Sequence, residues 1–139
     1  MLQSNGLASL AILLSVLAGS TSSNRKADVG LTGTRSIIST DNGTGPKGPQ
    51  DFRMEITRDE VLMRAPSGAT KRMGKIERID PGASPKEIDL RNGEWVGLGI
   101  YELNGDLLRL IICDPGQPRP SEFVGTRKGM IFTLRRVSE

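Results

Sequence analysis

Asn104-Gly105 stands between two apolar runs, Leu98–Leu103 and Leu107–Ile112. Both residues of such a pair accept the positive φ of a type I′ turn, so the stretch predicts a β-hairpin. Asp114-Pro115-Gly116-Gln117-Pro118-Arg119-Pro120 follows and must leave the sheet, because proline has no N–H to give a ladder. A hairpin ending in a Pro-rich elbow is therefore the fixed point of the chain. Other segments repeat its alternation. Phe52, Met54 and Ile56 face one way and Arg53, Glu55 and Thr57 the other, the period of a half-buried strand. Ile88 and Leu90 oppose Glu87 and Asp89, which read as a solvent face. Leu108, Leu110 and Ile112 oppose Leu107, Arg109 and Ile111.

The predicted strands are Val29–Thr40, Phe52–Thr57, Val61–Ala65, Thr70–Asp80, Lys86–Leu90, Trp95–Leu103, Leu107–Cys113 and Met130–Val137, the last with Phe132 and Leu134 inward. Asp41–Asp51 reads as a Gly/Pro-rich loop. The uneven spacing of Met73, Ile76 and Ile79 predicts a bulge near Gly74. The 17 Gly and 8 Pro supply the turns that such a series needs. About eight short strands joined by turns predict an all-β fold, a small antiparallel up-and-down β-barrel, with a sandwich as the second architecture. At 139 residues this is one domain. Aromatics are only 4%, so the core rests on Leu, Ile, Val and Met. That supply suits a barrel filled by its side chains or holding one small ligand.

Residues 1–20 read as a signal peptide. Leu7–Ala18 is an uncharged apolar run, short for a membrane span, and Val16 and Ala18 suit the −3 and −1 positions of a cleavage site. Ser20 occupies the place of the lipidated Cys in a lipoprotein box. Met1–Gly6 has no Lys or Arg, which leaves an uncleaved anchor as the alternative. The expectation is an exported protein (periplasmic, in the cell envelope or secreted). Residues 21–28 would be a linker and 29–139 the barrel, with no stable membrane span after cleavage.

The chain has no His, which excludes Ser-His-Asp and Cys-His catalysis within it. Its one Cys, Cys113, can form neither an internal disulfide nor a Cys-rich zinc site. It reads as a small buried hydrophobe. No cofactor or metal is implied. Asp89, Glu102 and Asp106 could supply paired carboxylates for acid/base chemistry, but their alternation with apolar residues reads as a solvent face, so the chain is not expected to be an enzyme. The net charge of +3 is interspersed. The densest basic stretch, Lys71–Arg78, has no aromatic for base stacking, so no nucleic-acid partner is expected.

Several short blocks carry a resemblance. They are Pro85-Lys86-Glu87-Ile88-Asp89-Leu90, Gly99-Ile100-Tyr101-Glu102-Leu103-Asn104-Gly105-Asp106, Pro115-Gly116, Arg119-Pro120, Phe123 and Leu134-Arg135-Arg136. In order and spacing, Ile76–Val137 resembles an uncharacterised lipocalin-like domain family found chiefly in planctomycete proteins. Leu31-Thr32-Gly33-Thr34 and the turn at Asp59 extend it more loosely. The resemblance implies a lipocalin-like barrel and carries no activity with it. The chain departs from the family at Arg35, where a Trp forming the barrel floor usually stands. The family's Cys lies about where this chain has Ile111; Cys113 keeps the same face, because side-chain direction repeats every two residues.

Five residues are candidate ligand contacts. Trp95 and Tyr101, six apart on one strand, share a face and either line a pocket or cap one end of the barrel. Met54 and Met63, with Met73, either line an adaptable cavity or are plain core. Arg119 is either a guanidinium at the barrel mouth that reads a carboxylate or phosphate, or a structural partner of Glu122, Asp114 or Asp106; the second is preferred. The expected function is a non-enzymatic module that takes a small apolar or amphipathic ligand. The alternative is a solid-core module that contacts protein or glycan through its loops. The sequence names no protein partner.

Overall fold

A computed structural model describes residues 28–137. The signal segment expected at 1–20, and the linker as far as residue 27, lie outside the described residues. The described residues form nine strands: β1 (Gly33–Asp41), β2 (Pro46–Lys47), β3 (Arg53–Ile56), β4 (Glu60–Arg64), β5 (Thr70–Asp80), β6 (Lys86–Asn92), β7 (Trp95–Asn104), β8 (Leu107–Cys113) and β9 (Gly129–Arg136). β3 to β9 form an antiparallel meander, and β1 closes it by pairing with both β3 and β9. The result is an eight-stranded up-and-down barrel, as the alternation predicts, with β2 a two-residue addition to the end of β1. Closure leaves no long unpaired edge.

Three differences from the sequence reading have local causes. Val29–Leu31 is a single 3-10 turn, not the start of the first strand. It folds across one end of the barrel, with Leu31 buried in the core, and the chain enters β1 at Gly33, whose φ of 137° suits glycine alone. The bulge expected near Gly74 falls one residue earlier, since Leu62 faces Arg72 and Val61 faces Gly74, which leaves Met73 as the extra residue. Phe52, expected to point inward, precedes β3 at the rim and is exposed.

The interior holds one apolar cluster that includes Met54, Ile56, Val61, Ile76, Ile88, Tyr101, Leu108, Leu110 and Leu134. Each side chain of this size contributes about 1.5–3 kcal/mol when buried. A second cluster lies outside the barrel wall. Ile100, Ile111 and Cys113 face outward and are covered by Phe123 and Ile131. The elbow between β8 and β9 folds back over them, and the Arg109 guanidinium stacks 4.5 Å from the Phe123 ring centre. The rest of the wall carries cross-strand ion pairs such as Arg64–Glu55 (2.6 Å) and Arg78–Glu87 (2.8 Å). Exposed pairs of this kind contribute little individually.

Candidate functional site

The strand directions give the barrel two unlike ends. The 3-10 turn and the β7–β8 hairpin turn stand at one end; the loops 42–52, 65–69 and 93–94 and the elbow stand at the other. The first end is closed. Arg35, 1% exposed, points inward from β1 and donates from Nη1 to Leu31 O and from Nη2 to Gly30 O, both at 2.7 Å. Arg136 reaches the same turn, donating to Thr32 O at 3.0 Å and Gly30 O at 2.9 Å. Two guanidinium groups thus tie the turn across the barrel end. Burial, with Arg136 nearby, pushes the Arg35 value down to about 10.

Tyr101 is fully buried at the same end, and its hydroxyl donates to Asp28 Oδ2 at 2.8 Å. Lys86 Nζ lies 3.4 Å from the same carboxylate oxygen. Burial and the Asp28 carboxylate hold the phenol well above its ordinary value of 10. A proton held more tightly in the folded state stabilises the fold below pH 10, and that contribution is lost as pH rises further. Arg35 has the opposite sign over the same range, because its folded value is the lower one. The difference between the wild type and Tyr101→Phe therefore isolates the tyrosine. That difference is expected to be steady below about pH 9 and to move against the wild type by about 1 kcal/mol near pH 11 in urea unfolding. A flat difference would mean that the hydroxyl is not held as the structure shows.

The second end is open. A cavity of about 490 Å³ lies there, with Gly97 of β7 in its wall. Met73, Leu90, Ile112 and Phe132 supply its apolar lining, Trp95 stands at its rim, and Asn92 and Asp114 contribute polar groups. Met73 reaches the cavity through the bulge described above. Trp95 is 64% exposed. It adjoins the apolar lining of the cavity, so rim and lining together form one exposed apolar patch.

The five candidate residues are therefore dispersed. Trp95 and Tyr101 do share the inward face of β7, but one is at the open rim and the other at the closed floor. Met54 is fully buried in the core, and Met63 is packed against it. Arg119 is not at the mouth. The elbow carries it back along the outer wall, where Nη1 donates to Asp89 Oδ1 at 2.7 Å and to Gly99 O at 2.9 Å. Its partner is Asp89, with Glu87 at 3.7 Å, in place of Glu122, Asp114 or Asp106. Asp89 faces outward as expected, yet is buried, because the elbow covers it. Glu102 pairs with Arg109 at 2.6 Å and Asp106 lies in the turn after β7, so these carboxylates do not share a cleft. Among the described residues no group of three or more His, Cys, Asp or Glu could hold a metal ion, and no helix is long and apolar enough to cross a membrane.

Sequence reasoning missed Leu90, Ile112 and Phe132 as cavity residues because inward alternation marks core and pocket alike. Gly97 and Gly99 on the inward face of a strand signalled a close approach of β7 and β8, not a cavity. No family model, curated protein or solved structure matches the chain, so the closed floor and the open, apolar mouth carry the functional reading.

Proposed function

We propose that this chain is an exported, non-enzymatic, lipocalin-like module that takes a small apolar or amphipathic molecule into the open end of its barrel. The observation that carries this reading is the cavity at the mouth. Its volume of about 490 Å³ lies in the ordinary range of small-molecule pockets, roughly 300–1,000 Å³. Buried side chains fill the lower half of the barrel, and the cavity lies at the mouth. A ligand there would cover Trp95 and remove apolar surface from water at both partners.

Trp95 is the only Trp of the chain and is its own reporter. N-phenyl-1-naphthylamine, a neutral apolar probe, is expected to bind saturably at one site, gain emission and quench Trp95. Absence of saturable binding would overturn the reading. The exposure of Trp95 favours a second one, in which the rim contacts a protein or glycan directly. That reading predicts no small-molecule saturation, so the same titration separates the two.

A further inference from the structure

The charge in the cavity lining is of one sign, although the rim around it also carries cations. Asp114 lines the cavity, and no Lys or Arg does. Its backbone is engaged, the N–H donating to Lys128 O at 2.8 Å and the carbonyl accepting from Gln117 N at 3.1 Å. Its carboxylate has no hydrogen-bond or ion-pair partner among the described residues. Elsewhere on the wall, acids are paired: Glu55 with Arg64, Glu60 with Arg72, Glu77 with Arg91, Glu87 with Arg78 and Glu102 with Arg109. Arg53, Arg64 and Lys71 stand on β3, β4 and β5 around the far rim, outside the cavity lining.

We infer that the mouth takes an organic cation, an ammonium or quaternary ammonium head carried on an apolar body. The head is matched by the unpaired Asp114 carboxylate and by the indole of Trp95, whose ring face attracts cations more strongly than other aromatics do. The body is matched by Met73, Leu90, Ile112 and Phe132. The remaining polar lining, Asn92, already donates to Met73 O at 3.4 Å. This inference rests on the reading above, that the mouth is a binding site, and adds the sign of the charge.

The test uses three probes with one tail, octyltrimethylammonium, octanol and octanoate, each titrated against Trp95 emission below its micelle concentration. The ammonium is expected to bind about five- to tenfold more tightly than the alcohol, and octanoate more weakly than either. Asp114→Asn is expected to bring the ammonium and the alcohol to about equal affinity. Asp114 is exposed and only its backbone is engaged, so the variant should fold. Octanol binding with no preference for the cation, a preference for octanoate, or a preference that survives in Asp114→Asn would overturn this inference alone. No response to any of the three would overturn it together with the binding reading.

Discussion

Gly99→Val is expected to destabilise the barrel by about 3 kcal/mol or more, enough to leave much of the protein unfolded. Gly99 lies opposite Ile112 on β8 and Ile88 on β6. A Cβ there would collide with the carbonyl oxygen of Ile111 and meet Ile112 Cδ1 at 2.6 Å. The first obstacle is backbone in a closed sheet, which cannot swing aside as a side-chain tip can. Relief would require β7 and β8 to separate, and β8 is also pinned by β9. Gly97 is tight for the same reason, with Ile112 Cγ2 at 2.8 Å. Gly48→Ala is the matched control, because nothing lies within 4 Å of its built Cβ, and its effect should stay within about 0.5 kcal/mol. If Gly99→Val does not accumulate in soluble form, Gly99→Ala meets the same carbonyl and can be measured by urea unfolding. A midpoint for Gly99→Ala equal to that of Gly48→Ala would contradict the close approach of the two strands.

Arg35→Ala is expected to cost about 3 kcal/mol, and Arg35→Met far less. Arg35 is a buried cation with no ion pair among the described residues, and its Nε atom has no partner. Two effects oppose each other. Removing the side chain leaves a void at the barrel floor and leaves Leu31 O without its donor, while Gly30 O keeps Arg136. Void and orphaned carbonyl together act at the scale of a few kcal/mol. Against this, a buried charge without a counter-ion is itself costly, which is why its value falls to about 10. Methionine fills most of the volume without the charge. Thermal melts should therefore place Arg35→Met within about 1 kcal/mol of the wild type. If alanine and methionine prove equally damaging, the hydrogen bonds to the 3-10 turn outweigh volume and charge. If alanine melts with the wild type, this residue does not hold the closed end.

Strand positions and barrel class were legible because side chains alternate with a period of two and turns need Gly, Pro and Asn. Thr70–Asp80 and Leu107–Cys113 match β5 and β8 residue for residue. The elbow was legible as an exit from the sheet, since its prolines cannot join a ladder. Its destination was not. That Arg119 would return to Asp89, and that Phe123 would cover Ile100 and Ile111, depends on contacts between segments far apart in the chain. Ile100 and Ile111 stand on the outer face of their strands, and alternation assigns only one face to the core. The site was the least legible part. Trp95 was singled out, while the inward Met73, Leu90, Ile112 and Phe132 could not be told from core.

The chain by itself determined which residues point inward and that the sheet could close on itself, because both follow from a local two-residue period. Tertiary structure alone decided that one end is plugged and the other open. The plug is a three-residue turn tied down by Arg35 and Arg136, and the opening lies among Met73, Leu90, Ile112 and Phe132 at the other end. Neither is a property of any single strand, since packing at a barrel end depends on which strands surround it.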